Sequence, residues 1–211
     1  MKKWLLFLCL TAGMQNLATA DSSSAGDPEA GKAKSVTCAA CHGNDGNSMI
    51  PMNPKIAGQH ARYLEKQLMD FRTASKTGGQ EGRNNAVMNG MAAALTDQDI
   101  KDLAAYYSDQ KASEGTTPED VIDVGGKLYR GGDVERGITA CIACHGSRGN
   151  GTSLSNFPDI SGQHPEYIKA QLEQFRSGTR ANDLNGMMRD IAMKLTDEDI
   201  DVLSKYLGGL H

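Results

Sequence analysis

The chain of 211 residues contains no hydrophobic run long enough to cross a bilayer as a permanent helix. Its longest apolar run, residues 4–10, follows Lys2 and Lys3 and precedes the small residues Ala-Thr-Ala at 18–20. A basic start, an apolar centre and a small-residue end are the layout of a secretory signal peptide. We therefore predict a signal peptide over residues 1–20, export to a periplasm, and no transmembrane anchor in the mature chain, which leaves only partner-mediated or weak surface contact with membranes.

The chain also has no excess of basic residues. Without Lys2 and Lys3 it carries 20 Lys and Arg against 26 Asp and Glu, so no nucleic-acid role is indicated. Residues 21–112 hold 10 basic and 11 acidic residues, whereas residues 113–211 hold 10 and 15. This asymmetry predicts a molecule that orients toward charged partners, unless these acids are ordinary solvated helix faces.

Cysteine is scarce, and four of the five cysteines belong to one repeated motif. Cys-x-x-Cys-His occurs at residues 38–42 and again, 103 positions later, at residues 141–145. The motif is typical of c-type haem attachment, in which two thiols form thioether bonds and the histidine ligates the iron. We predict two covalently bound haem c groups, with thioether and axial residues Cys38, Cys41, His42, Cys141, Cys144 and His145.

The four cysteines have alternative uses, which differ in whether they explain the adjacent histidines. Four thiols can form disulfides, or two Cys-x-x-Cys pairs can hold one structural zinc. Zinc leaves both adjacent histidines unexplained, and a thioredoxin-like redox pair does not require histidine at that place. An oxidising compartment, predicted from the signal peptide, suits covalent haem attachment.

The mature chain is an internal duplication. The sequence Pro-Lys-Ile-Ala-Gly-Gln-His at 54–60 matches Pro-Asp-Ile-Ser-Gly-Gln-His at 158–164, an offset of 104. Leu-Thr-Asp at 95–97 recurs at 195–197, an offset of 100, so the second repeat has lost four residues after Phe175.

Each repeat is long enough for one small haem domain and too short for an additional catalytic domain. The stretch at 113–118 is polar and rich in helix breakers. We therefore predict domains over residues 21–112 and 119–211, joined by a linker over 113–118.

Hydrophobic periodicity predicts an all-α protein with long loops, and no segment has the alternation of a strand. Thr96 and Thr196 are predicted N-caps, because acidic residues follow each in the first turn. The predicted helices cover 28–36, 61–72 and 97–110 in the first repeat, and 118–129, 165–176 and 197–210 in the second. Their C-terminal helices should bury Ile100, Leu103, Tyr106 and Tyr107, and Ile200, Leu203, Tyr206 and Leu207.

Each iron needs a sixth ligand, which the repeat identifies. Met/His ligation is typical of electron-carrying cytochromes c, because a thioether favours ferrous iron and raises the potential. Among ten methionines, those seven residues before Leu95 and Leu195 are Met88 and Met188, whereas Met91 has no methionine at its matching place. We predict Met88 and Met188 as axial ligands; a core-filling role is the alternative for a single methionine.

His60 and His164 also occupy matching places and are alternative sixth ligands for bis-histidine irons. Each stands at the start of a predicted helix, which favours a capping or packing role. Pro54 and Pro158 lie on the loop after each motif, where a carbonyl can accept the other ring N–H of the axial histidine. We expect a change in either proline loop to shift the potential of its own haem alone.

Two Cys-x-x-Cys-His repeats, each followed by Pro-x-Ile-x-Gly-Gln and a methionine seven residues before Leu-Thr-Asp, resemble the dihaem cytochromes c of the c4 type. The resemblance covers residues 21–211. It implies two domains, each similar to a small single-haem cytochrome c fold, packed about an approximate two-fold axis. It also implies thioether bonds at Cys38, Cys41, Cys141 and Cys144, and axial ligation by His42, Met88, His145 and Met188.

The resemblance implies an electron carrier and not an enzyme. An iron with six protein and porphyrin ligands has no open site for a substrate, so only one-electron outer-sphere transfer remains. The resemblance places the protein in a respiratory chain and makes a terminal oxidase the expected acceptor. We expect the donor to be an upstream quinol-oxidising complex or another cytochrome.

Three other functions stay open. A dihaem peroxidase or a thiosulfate-oxidising cytochrome needs one iron with a replaceable sixth ligand. A cytochrome subunit of a dehydrogenase complex has the same haem chemistry and differs only in its partner. A gas-binding sensor needs an accessible ferrous iron.

Overall fold

The computed structural model describes residues 25–211. The predicted signal peptide, residues 1–20, lies outside the described residues. Between residues 25 and 211 the fold is helical, and its β-type contacts are two isolated bridges, at 133 with 138 and at 152 with 157. The all-α fold class is confirmed. No helix in this part of the chain is long and apolar enough to cross a membrane.

The helices form two groups with the same arrangement. The first group is α1 (Pro28–Lys34), α2 (Val36–His42), α3 (Ala61–Thr77), α4 (Ala86–Ala92) and α5 (Asp97–Ser108). The second is α6 (Glu119–Gly131), α7 (Ile142–His145), α8 (Pro165–Ser177), α9 (Met187–Ala192), preceded by a 3₁₀ turn at Leu184–Gly186, and α10 (Asp197–Gly208). In the first group α1 and α3 pack on α5 and α4 packs on α3; in the second α6 and α8 pack on α10 and α9 packs on α8. We call α1–α5 the N-terminal half and α6–α10 the C-terminal half.

The last helix of each half begins where the sequence predicts. Thr96 and Thr196 are N-caps, and each forms a capping box with the acidic residue three positions later, Asp99 or Asp199. The helices end two residues before the predicted ends. In α10 all four predicted inward residues are buried, whereas in α5 Tyr106 is only partly buried.

The four residues missing from the second repeat shorten one helix. α3 has 17 residues and runs beyond its predicted end at 72, whereas α8 has 13 residues. Both begin at matching positions, Ala61 and Pro165, so the deletion removes about one turn from the C-terminal end of α8.

The predicted helix over 28–36 is wrong at its end. α1 stops at Lys34, and Ser35 separates it from α2, which carries the first Cys-x-x-Cys-His motif. The counterpart α6 begins one residue after Pro118 and runs two residues past the predicted end.

A glycine allows the first helix of each half to cross the last one closely. A Cβ on Gly31 would lie 2.8 Å from the Cβ of Tyr106, and a Cβ on Gly125 would lie 2.6 Å from the Cβ of Tyr206. Both separations are below van der Waals contact, so only glycine fits. Gly31 and Gly125 are therefore equivalent positions of α1 and α6.

The halves meet in a polar interface built from paired side chains. Arg83 donates hydrogen bonds to Tyr167 at 3.0 Å and to Gln171 at 2.7 Å, both in the other half. Arg180 donates in the opposite direction, to Tyr63 at 2.9 Å. Both guanidinium groups are buried, and each lies over a phenylalanine ring of its own half. This reciprocal pattern gives the interface approximate two-fold symmetry.

We expect Gly125→Ala to lower the free energy of unfolding by about 1–3 kcal/mol, because the added methyl overpacks the crossing of α6 and α10. The neighbouring Gly126→Ala is the control: its Cβ would lie 3.6 Å from the nearest Tyr206 atom, which is ordinary contact. Alanine in a helix should make that variant neutral or more stable by about 0.5–1 kcal/mol. Guanidinium unfolding of the holoprotein measures both. Equal losses in the two variants would contradict the close crossing.

Candidate haem-binding sites

Each Cys-x-x-Cys-His motif forms the end of a short helix. Cys38 and Cys41 lie on α2, while Cys141 is the N-cap of α7 and Cys144 lies within it. All four cysteines are free thiols. The first cysteine of each motif packs against the apolar core of its half. One helical turn therefore presents two thiols at the edge of an apolar core.

The histidine of each motif is buried, with one ring nitrogen already engaged. His42 is 7 % exposed, and its Nδ1–H donates to the carbonyl of Pro54 at 2.9 Å. His145 is 8 % exposed, and its Nδ1–H donates to the carbonyl of Pro158 at 3.0 Å. These are the carbonyl contacts that the sequence predicted. They fix the tautomer in which Nε2 carries the free lone pair for a metal.

Burial keeps both rings in the form that can bind iron. Desolvation lowers the pKa of His42 below its usual range, and the carbonyl of Pro54 only partly opposes this effect. The pKa of His145 is lowered for the same reason. Both imidazoles are therefore neutral at pH 7, as ligation requires.

The predicted axial methionines lie on two short helices that periodicity did not predict. Met88 lies on α4, where its backbone N–H donates to the N-cap side chain of Asn85 at 3.0 Å. Met188 lies on α9 and packs against the same apolar cluster as Cys141. Both methionines are partly buried, whereas Met91, one turn further along α4, is exposed.

His60 and His164 were predicted either to ligate iron or to cap or pack against a helix, and in the structure each bonds a carbonyl of the other half. Nε2 of His60 donates to the carbonyl of Asn150 at 2.7 Å, and Nε2 of His164 donates to the carbonyl of Ser48 at 2.7 Å. Each precedes its helix without a side-chain cap, so the capping interpretation is wrong. Both histidines instead join the two halves, and the bis-histidine alternative gains no support.

A tyrosine lies close to the first cysteine of each motif, but it comes from different helices. In the N-terminal half it is Tyr107 of α5, whose buried hydroxyl lies near Cys38 and Ser35 but makes no hydrogen bond of normal geometry among residues 25–211. In the C-terminal half it is Tyr129 of α6, whose hydroxyl donates to the carbonyl of Gly146 at 2.5 Å. The matching residues are small or aliphatic, Leu207 opposite Tyr107 and Ser35 opposite Tyr129. Burial raises the pKa of both phenols, so both stay neutral.

Comparison with known proteins identifies the family. The model of the family described as cytochrome c matches residues 28–110 and again residues 135–211. A cytochrome c4 of Stutzerimonas stutzeri is 47 % identical over the full length of both chains. The chain belongs to the cytochrome c4 family.

Two further comparisons extend this result. The crystal structure of reduced recombinant cytochrome c4 from Pseudomonas stutzeri matches with a TM-score of 0.86 and 47 % identity, covering 89 % of this chain and 100 % of that one. A thiosulfate dehydrogenase electron acceptor of Stutzerimonas stutzeri strain A1501 is 36 % identical over 83 % of this chain and 79 % of its own. As a cytochrome c4 family member, the protein is a dihaem electron carrier with two covalently bound haem c groups.

The residues in place fit two such groups. Each half offers a pair of free thiols, a neutral buried imidazole with Nδ1 fixed, and an apolar core beside them. Among the described residues, no three His, Cys, Asp or Glu side chains converge as a metal-ion cluster. Membership of the cytochrome c4 family sets the zinc and disulfide interpretations aside in favour of haem.

We expect Tyr129→Phe to lower the free energy of unfolding by about 0.5–1.5 kcal/mol, because the Gly146 carbonyl loses the bond from the phenol and keeps only the longer one from the Gly149 N–H, at 3.4 Å. Tyr107→Phe is the matched control, since it removes a hydroxyl that makes no hydrogen bond of normal geometry and should therefore cost less. Guanidinium unfolding of the holoproteins, followed by haem absorbance, compares them. A larger loss for Tyr107→Phe would show that its hydroxyl, and not that of Tyr129, supports a site.

Proposed function

We propose that this cytochrome c4 family protein is a periplasmic one-electron carrier in a respiratory chain, with both irons closed by a histidine and a methionine. The observation that carries the proposal is the repeated geometry of a buried histidine with Nδ1 fixed and a methionine at the matching place of each half. The thioether residues are Cys38, Cys41, Cys141 and Cys144, and the axial residues are His42, Met88, His145 and Met188.

The proposed ligands leave no position open for a substrate, which favours a carrier over an enzyme. When bound, the haem iron accepts and releases one electron with its ligands in place. The chain's own residues keep the structural rearrangement between the two redox states small. The Pro54 and Pro158 carbonyls hold the imidazoles, and the buried cores exclude water. Methionine sulfur and apolar packing favour a high potential.

The proposal includes the organisation of the chain. Residues 1–20 form a signal peptide that directs export, residues 21–112 and 119–211 form the two haem domains, and residues 113–118 link them. The absence of any helix between Ser108 and Glu119 supports the place of the linker.

The proposal also names the redox partners. A terminal oxidase is the proposed acceptor, and a quinol-oxidising complex or another cytochrome is the proposed donor. A second candidate role is the acceptor of a dehydrogenase, which the 36 % identical thiosulfate dehydrogenase electron acceptor favours.

We expect the purified protein to show two low-spin haems per chain, each with the weak red absorption band of methionine sulfur on ferric iron. Met88→Ala should remove about half of that band, because one of two equivalent irons loses its thioether, and Met188→Ala should remove the other half. The matched control is Met91→Ala, one turn away on α4, which should keep the full band. A full band in Met88→Ala, or a high-spin component in the wild type, would reject the ligand assignment.

Stopped-flow absorbance experiments distinguish the two partner roles. Oxidation of the reduced protein by oxidase-containing membranes tests the first role. Reduction of the oxidised protein by a thiosulfate dehydrogenase with thiosulfate tests the second. We expect the oxidase reaction to be the faster, and the opposite order would favour the dehydrogenase role.

A further inference from the structure

We propose that a Gln-His pair in each half positions the hydrogen-bond acceptor of the axial histidine in the other half, and so sets the reduction potential of the opposite haem. The pairs are Gln59-His60 and Gln163-His164. The inference rests on the proposed axial role of the motif histidines, and it assigns a positioning role to residues outside both haem motifs.

The loop that follows α2 in the N-terminal half is held at two places by the other half. Gln163 accepts a hydrogen bond from the Lys55 N–H at 2.9 Å and donates one to the Lys55 carbonyl at 2.8 Å. His164 donates from Nε2 to the carbonyl of Ser48 at 2.7 Å. The Ser48 hydroxyl donates in turn to the carbonyl of Cys41 at 2.8 Å. A dipeptide of the C-terminal half thus holds this loop at Ser48 and at Lys55.

The same contacts run in the opposite direction. Gln59 accepts from the Asp159 N–H at 3.0 Å and donates to the Asp159 carbonyl at 2.7 Å. His60 donates from Nε2 to the carbonyl of Asn150 at 2.7 Å. The glutamine of each half therefore forms hydrogen bonds with both the backbone N–H and the backbone carbonyl of one residue in the other half.

The N–H that each glutamine binds belongs to the same peptide group as the carbonyl that accepts from the axial histidine. The Lys55 N–H and the Pro54 carbonyl belong to one planar unit, so fixing one fixes the direction of the other. Gln163 bonds the N–H of this unit, and His42 donates Nδ1–H to its carbonyl. The peptide between residues 158 and 159 is held in the same way in the other half.

A hydrogen bond to a peptide N–H also strengthens the carbonyl of that peptide as an acceptor, because chains of hydrogen bonds polarise one another. A stronger acceptor on Nδ1–H makes the imidazole a more basic ligand. A more basic ligand stabilises ferric iron relative to ferrous iron. Loss of the glutamine should therefore raise the potential of the haem in the opposite half.

Each glutamine side chain is itself held in the required orientation. The Oε1 of Gln59 also accepts from the backbone N–H of His60 at 3.0 Å, and that of Gln163 accepts from His164 N–H at 3.1 Å. Gln59 is 8 % exposed. Each glutamine side chain is therefore held in one orientation at the interface.

The test is a pair of variants, Gln163→Leu and Gln59→Leu, in the full-length holoprotein. We expect Gln163→Leu to change the reduction equilibrium constant of the N-terminal haem by about three- to tenfold toward the ferrous form, where tenfold is 59 mV for one electron. Gln59→Leu should do the same to the C-terminal haem. Spectroelectrochemistry gives the potentials, and NMR of the haem methyl groups assigns each to its half.

A second readout reports the hydrogen bond itself. In the ferrous protein the Nδ1–H proton signal of His42 should move upfield in Gln163→Leu and that of His145 should not; Gln59→Leu should show the reverse. Asn182→Ala is the control, because Asn182 crosses the interface to Asp70 at 2.6 Å without touching either loop. It should leave both potentials and both signals unchanged.

The proposal requires that each substitution shift only the haem of the half that does not carry it. A shift confined to the haem of the mutated half, equal shifts of both haems, or unmoved Nδ1–H signals would overturn it. Intact haem content and low-spin spectra show that the variants are folded. Because the readout concerns only the histidine side of each iron, it stays interpretable if the methionine assignment fails in the red-band experiment.

Discussion

Both halves depend on one hydrogen bond, from the buried histidine of the motif to a proline carbonyl 12 or 13 residues further on. The bond ties the end of a short helix to the far end of the following loop. It therefore fixes both the tautomer that leaves Nε2 free for the proposed iron bond and the course of the loop. That loop also meets the other half, so each haem site and the interface share one segment of backbone.

The elements with a strong local signal could be predicted from the sequence. The threonine caps at Thr96 and Thr196 locate the starts of α5 and α10, because a capping box is a local pattern of side chain and backbone. The start of α3 at Ala61 follows from its apolar stripe. α2 and α4 were missed, since each has 7 residues, too few to show a helical period. Met88 was still predicted as a ligand, because the repeat alignment does not depend on recognising the helix.

The contacts across the interface had no comparable signal. Gln59 and Gln163 bond to backbone groups, which every residue type presents alike, so their targets leave no trace in the sequence. The equivalence of Arg83 and Arg180 could not be predicted for another reason. They are 97 positions apart, which matches neither offset of the duplication. Their equivalence shows in the structure, where each guanidinium lies over a phenylalanine ring of its own half and donates to a tyrosine of the other half.

The two tyrosines beside the motifs carry a consequence for how the duplicated gene can evolve. Tyr107 lies beside Ser35 in one half, while Leu207 and Tyr129 share one apolar cluster in the other, so each half places one tyrosine beside the first cysteine of its motif. Recombination between the repeats that replaced α5 by α10 alone would leave Ser35 facing Leu207, with a cavity where a ring had been. The reciprocal exchange would force two rings into one space. The first and last helices of a repeat are therefore inherited as a matched set, and the two copies have become distinct parts that cannot be interchanged helix by helix.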